Sequence, residues 1–258
     1  MIPLLHSKRI IIKLGTGLLK TDKGLINHNC INTIAKEVSN LKNKGIEIVI
    51  VSSGAIGLGM SQLKIPQRPS NLSQLQACAA IGQSKLINLW QQSFNNYGLI
   101  VAQILLTQDD LASNDRYEGV TNTLSELLSK NAVPIINEND TVSTEEIRFG
   151  DNDTLSAYVA KAMNADLLMI LSNISGLMNP KNNYDVIHNV EKIDSSIEAL
   201  ASDTKSETSV GGMISKIEAA KIATQHKCGV FIGDGNDQEI FQKLLKGFKI
   251  GTYFTPSK

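Results

Sequence analysis

Short apolar runs that end in glycine, serine or asparagine alternate along this chain with stretches of helical periodicity. That alternation restricts the possible folds more than any other feature. Residues 9–14, 47–52, 99–106, 133–137, 167–172, 230–232 and 251–254 read as strands. Residues 29–44, 70–96, 117–130, 154–163, 213–225 and 238–245 read as helices. Within 70–96, Leu72, Leu75, Ala79, Leu86, Leu89 and Trp90 recur at the spacing of one helical face. Strands joined through helices of this length form a mainly parallel sheet, because each crossover lays a helix over one face. The expected fold class is therefore α/β, with the sheet covered on both sides. In such sheets ligands bind beyond the carboxyl ends of the strands. Residues 173–211 read more weakly, as short strands, a turn at Asn179-Pro180 and a polar stretch at 203–209. With no repeat or low-complexity linker, residues 1–258 are expected to form a single domain with two lobes, about 1–165 and 166–258.

The composition excludes several function classes. The 258 residues include 25 basic and 25 acidic ones. A net charge of zero argues against broad electrostatic binding of nucleic acid or an anionic membrane. No run approaches the ~20 apolar residues of a membrane-spanning helix, and the N-terminus lacks the pattern of a secretory signal. Three widely spaced cysteines, Cys30, Cys78 and Cys228, form no Cys-x-x-Cys pair. They suit small packed residues in a reducing cytoplasm better than a disulfide framework or a zinc site. The four histidines show no ligand spacing, so no protein-held metal is expected.

Candidate chemistry lies where strands end. Lys13-Leu14-Gly15-Thr16-Gly17 places a cation before small residues, which suits an anion held by backbone N–H groups. A strand-ending turn with a solvated lysine is the alternative. Ser52-Ser53-Gly54-Ala55-Ile56-Gly57-Leu58-Gly59 permits close backbone approach to a ligand. It matches neither a Walker A loop, a dinucleotide fingerprint nor a hydrolase nucleophile elbow, and Ser53 could simply cap a helix. Asn137-Glu138-Asn139-Asp140 and Gly150-Asp151-Asn152-Asp153 crowd polar groups after one apolar strand. The second string is not a calcium loop, because Ser156 stands where the loop's glycine is needed. Asp151 or Asn152 could instead cap the helix beginning near Thr154. Val210-Gly211-Gly212-Met213-Ile214-Ser215-Lys216 puts paired glycines ahead of a helix. Such a helix start can cradle a phosphate, and a lysine there is unfavourable unless an anion accompanies it. A glycine-rich loop with a surface lysine is again the alternative.

Taken in order, these segments resemble the amino acid kinase family over about residues 9–254. The most specific strings are Val133-Pro134-Ile135-Ile136-Asn137-Glu138-Asn139-Asp140 and Phe149-Gly150-Asp151-Asn152-Asp153-Thr154-Leu155-Ser156-Ala157. Within the family, the resemblance is to the branch that phosphorylates the side-chain carboxylate of L-glutamate, the opening step of proline biosynthesis. It implies a three-layer sandwich with about eight mostly parallel strands, an acceptor lobe followed by a nucleotide lobe, ATP as co-substrate, and Mg²⁺ held mainly by the nucleotide. By position it implies Lys13, Lys216 and Asp153 as catalytic, with Asp153 organising the lysines. Ser53, Gly54, Asn137, Asp140, Asp151 and Asn152 would bind the acceptor. Lys13, Gly15, Thr16, Ser172, Asn173 and the segment Val210, Gly211, Gly212, Met213, Ile214, Ser215 and Lys216 would bind the nucleotide. Ser172-Asn173 stands where the family usually has Thr-Asp, and Val210 where it favours Thr. Many relatives carry a further C-terminal domain resembling an RNA-binding module, and none is expected here. Homo-oligomers and feedback by L-proline are also implied. Sister kinases acting on N-acetylglutamate or aspartate, and a non-catalytic amino-acid or nucleotide sensor on the same fold, are the alternatives. A sensor would be expected to lack one of the lysines or Asp153.

A glutamate side-chain carboxylate has a solution pKa of about 4.3, so it is already ionised at neutral pH. Such an acceptor needs no general base, in keeping with a sequence without a persuasive catalytic His or Cys. Catalysis is then expected to consist of positioning and electrostatic stabilisation.

Overall fold

Five of the six residues of β1 (Arg9–Leu14) are buried, on both faces of the strand, and this places β1 inside the sheet. Ile10, Ile12 and Leu14 enter one apolar layer and Ile11 the other. The computed structural model describes residues 4–21, 26–142, 152–180, 182–202 and 212–257. β1 is followed by a 3-10 turn (Thr16–Leu19), α1 (His28–Lys42), β2 (Glu47–Ser52), α2 (Ala55–Gln62) and α3 (Leu72–Asn95). Then come β3 (Val101–Leu106), α4 (Gln108–Ala112), α5 (Asn114–Ser129), β4 (Val133–Glu138), α6 (Asn152–Ala162) and β5 (Leu167–Ser172). Short strands β6 (Met178–Asn179), β7 (Asp185–Val186) and β8 (Asn189–Val190) lead to α7 (Ser195–Ser202), α8 (Met213–Gln225), β9 (Gly229–Asp234), α9 (Ile240–Leu245) and β10 (Thr252–Phe254).

Among the described residues one eight-stranded sheet has the order β3-β4-β2-β1-β5-β9-β10-β8, beside a separate β6-β7 ribbon. The pairings from β3 to β9 are parallel, and β10 runs antiparallel to β9. α1, α3 and α9 cover one face through residues such as Ile34, Trp90 and Phe241. α5, α6 and α8 cover the other through Leu124, Leu155 and Ile217. This is the expected three-layer α/β sandwich. No helix is long and apolar enough to cross a membrane among the described residues.

Two departures from the sequence reading have local causes. The strand-ending string at 52–59 continues into a helix, α2, whose short length and two glycines conceal its periodicity. Its cap is Gly54, in the left-handed region at φ 108°, and not Ser53. Gly59 also serves packing rather than ligand approach. A Cβ there would fall on the Cys78 carbonyl, and one on Gly82 would fall on the Ala55 carbonyl. The two glycines thus let α2 and α3 touch backbone to backbone. The polar stretch at 203–209 lies outside the described residues.

Candidate active site

Parallel strands deliver their carboxyl ends to one edge, and several of the described side chains singled out above gather there. Lys13 projects from β1 into the layer opposite its Ile12 and Leu14 neighbours and is only 5% exposed. Lys216, in the second turn of α8, is 6% exposed. Neither is the solvated lysine that the sequence also allowed. Between them stands Asp153, 1% exposed, at the start of α6. One carboxylate oxygen pairs with the Lys13 ammonium. The other accepts from Lys216 Nζ at 3.0 Å and from Ser215 Oγ at 2.9 Å. Burial alone would push the Asp153 carboxyl up, but the two ammonium groups outweigh it and hold the group below its ordinary range. Asp153 is thus an anion that makes a lysine tolerable near the positive end of α8.

Next along the edge is a net of small polar groups. Asn152 Nδ2 donates to Asn137 Oδ1 at 2.8 Å and to Ser53 Oγ at 2.9 Å, with the Ser52 carbonyl at 3.3 Å. The Asn152 side chain is therefore turned into the site rather than engaged as a helix cap. The N-terminus of α2 follows Ser53 directly, and Gly54 supplies no side-chain cap. Its first N–H groups lack intrahelical acceptors and suit an anionic ligand group. Asp140 is buried after β4, and burial raises its carboxyl to about 6 against the opposing influence of Arg68.

The nucleotide candidates divide. Gly15 N donates to the Leu171 carbonyl at 3.0 Å, and a Cβ on Gly15 would lie 3.5 Å from Ser172 Cβ. The β1 and β5 ends therefore form one small-residue surface. Ser172 Oγ is buried there without a hydrogen-bond partner among the described residues. Thr16 and Asn173 are exposed, and the Asn173 amide lies near Gly17. Gly212 is the cap position of α8; Met213 is buried and Ile214 is 52% exposed. Ser215 and Lys216 both turn to Asp153. Asp151, Val210 and Gly211 lie outside the described residues.

Two supporting residues escaped sequence reasoning. Trp90 Nε1 donates to Ser52 Oγ at 3.1 Å, and Gln83 Nε2 to the Glu138 carbonyl at 3.2 Å. Both belong to α3, seven residues apart and so on one face. The available signal was a glutamine among apolar positions of a buried helical stripe. All three cysteines are buried and unpaired. Burial raises Cys30 to about 11 and Cys228 to about 12, which leaves both thiols protonated.

Comparison with known proteins agrees with this geometry. The amino acid kinase family matches residues 8–234. A glutamate 5-kinase of Caldanaerobacter subterraneus subsp. tengcongensis is 43% identical over 254 residues, covering 97% of this chain and 68% of that protein. A glutamate 5-kinase of Clostridium acetobutylicum is 42% identical over 252 residues, covering 96% of this chain and 94% of that protein. Carbamate kinase from Giardia lamblia bound to AMP-PNP shares the fold, with a TM-score of 0.67 at 17% identity, covering 97% of this chain and 99% of that one. A family match of this extent, an edge-of-sheet lysine–aspartate–lysine triad and relatives above 40% identity lead to one assignment: the chain belongs to the amino acid kinase family, in the group of the glutamate 5-kinases it resembles.

Proposed function

We infer that this chain transfers the γ-phosphoryl group of ATP to the side-chain carboxylate of L-glutamate, giving ADP and L-glutamyl 5-phosphate, the opening step of proline biosynthesis. The observation that carries the reading is the Lys13–Asp153–Lys216 triad beside the Asn152 net. A carboxylate oxygen attacks the γ-phosphorus while the bond to the ADP oxygen breaks. No proton moves in that step. The obstacle is repulsion between the acceptor carboxylate and the triphosphate. Two ammonium groups offset it, and one buried carboxylate holds them in register, leaving one net positive charge for the reacting oxygens. The first N–H groups of α2 and the Ser53 region receive the acceptor carboxylate. Asp140 and Asn137 receive its ammonium, and Gly15 and Ser172 face the phosphates. ATP enters as its Mg²⁺ complex. The ion is carried by phosphate oxygens and water, as its reluctance to lose water favours.

We further propose that the acceptor lobe is about 1–165 and the nucleotide lobe 166–258, that the enzyme works in the cytoplasm as a homo-oligomer, and that L-proline inhibits it. Proline shares the α-carboxylate and a cationic amine with glutamate. Coupled ADP release with L-glutamate, L-aspartate, N-acetyl-L-glutamate and UMP side by side tests the reaction. Acetylation removes the charge that the acidic side of the pocket needs, and a site built around a polar group rejects analogues lacking it by roughly 10⁴–10⁵. N-acetyl-L-glutamate should therefore be a very poor substrate. Comparable kcat/KM for both acceptors would move the protein to the acetylglutamate branch.

A further inference from the structure

Gly57 belongs to the glycine string that marks the end of β2, yet neither strand geometry nor helix–helix packing accounts for it. It lies in the first turn of α2, and a Cβ there would overlap the Lys20 ammonium. The glycine leaves room for a half-buried cation laid against the helix. Lys20 follows the 3-10 turn whose Leu19 side chain lies 3.2 Å from where a Cβ on Gly54 would be. Its ammonium makes no hydrogen bond or ion pair among the described residues. The nearby charge it feels is Arg68, another cation, and Arg68 also acts on Asp140 at the acceptor site. Arg68 and the buried Asp140 carboxylate act on each other, whereas the Lys20 ammonium, half-buried against α2, is placed to meet an anion that a ligand brings.

The separation suits one end of the acceptor. Gly57 is three residues beyond Gly54, about 4.5 Å along the helix axis at 1.5 Å per residue. That is of the order of the span between the two carboxylates of an extended glutamate. With the side-chain carboxylate at the start of α2 and the ammonium at Asp140, the α-carboxylate falls towards Lys20. We propose that Lys20, seated on Gly57 and assisted by Arg68, is the specificity-determining counter-charge for the α-carboxylate of the acceptor amino acid. The proposal rests on the reaction inferred above and deepens it. A counter-charge at the α-carboxylate end of the acceptor sets acceptor affinity rather than turnover.

L-Isoglutamine tests this directly. It keeps the side-chain carboxylate and the α-ammonium but carries an α-carboxamide. Wild-type protein should prefer L-glutamate over L-isoglutamine by about 10- to 100-fold in kcat/KM, the range of one charge-assisted contact. Lys20→Met should raise the glutamate KM by that factor, leave the KM for ATP unchanged and bring the two acceptors to within about threefold. Gly57→Ala, which displaces the ammonium without removing it, should shift discrimination in the same direction. Lys20→Gln repeats the measurement if the methionine variant folds poorly. Unchanged discrimination in the Lys20 variants overturns the proposal, and so does a rise in the KM for ATP instead of glutamate. Wild-type protein that phosphorylates neither acceptor overturns the underlying reaction, and this proposal with it. Wild-type phosphorylation of L-glutamate with intact discrimination in the variants overturns this proposal alone.

Discussion

Asp153 holds two buried lysines that would otherwise repel each other, so the three residues behave as a unit. Asp153→Asn leaves two buried ammonium groups without a counter-charge. Removing one partner from a buried pair typically costs about 3–5 kcal/mol, and a loss of that size is expected in urea titrations. Lys13→Met and Lys216→Met each leave Asp153 with one lysine, and should cost less, roughly 1–3 kcal/mol. Each should lower kcat by about 10²–10³ at saturating substrates, the usual effect of removing a preorganised charge. A solvated lysine would predict no stability change beyond ~0.5 kcal/mol, so the urea midpoint separates the two descriptions. Near-wild-type turnover in both lysine variants would falsify the catalytic assignment. The two aspartates also act oppositely with pH. Asp153 is held low, so its stabilisation is present above the unfolded value of about 3.9 and is lost as pH falls below it. Asp140 is raised to about 6. The unfolded chain then ionises first, and stability falls as pH rises from about 4 to 6. Asp140→Asn should flatten that slope. Because an ammonium prefers ionised Asp140, the wild-type glutamate KM should drop as pH rises through about 6 and level off above it. A KM that is flat from pH 5 to 8 would remove Asp140 from the pocket.

At the scale of elements, α2 is set by glycines rather than by propensity. Gly59 and Gly82 meet carbonyls across the α2–α3 contact, and backbone cannot swing away as a long side chain can. Gly59→Ala and Gly82→Ala should therefore each destabilise the fold by at least 1–3 kcal/mol, the usual cost of overpacking. They should also raise the glutamate KM by tilting Ser53 away from Asn152. Gly119 in α5 has open space at its Cβ position, and alanine there should be neutral or stabilising by about 0.4–1 kcal/mol. Thermal melts of the three variants, with the glutamate KM of each, test the contrast. The long elements were legible in the sequence. The stretch read at 70–96 became α3 over Leu72–Asn95, opened by Asn71 accepting from Gln74 N. The helix read at 213–225 agrees with α8, Met213–Gln225, end to end. α2 and α4 were hidden, because eight and five residues are too few for a 3.6-residue period to stand out.

In the whole molecule, one continuous sheet links the proposed lobes: β1, which carries Lys13, pairs with both β2 and β5. We expect cooperative unfolding for that reason. Trp90 is the single tryptophan, is fully buried and donates to Ser52 beside the Asn152 hydrogen-bond net. Its fluorescence should trace the same urea transition as the far-UV dichroism, whereas two separated transitions would show that the lobes unfold independently. The chain order of strands and helices, a mainly parallel sheet and the placement of candidate residues at the strand ends follow from the sequence by itself, because apolar periodicity and strand-ending small residues are local signals. The resemblance of its motifs also named Lys13, Asp153 and Lys216. The tertiary structure alone decided that these lysines are buried rather than solvated, since 140 residues separate Lys13 from Asp153 and 63 separate Asp153 from Lys216. It also decided that Gly54 caps α2, that Gly59 packs against α3, and that Lys20 lies over Gly57. Each of these depends on how close two distant backbones come, a distance that no local pattern encodes.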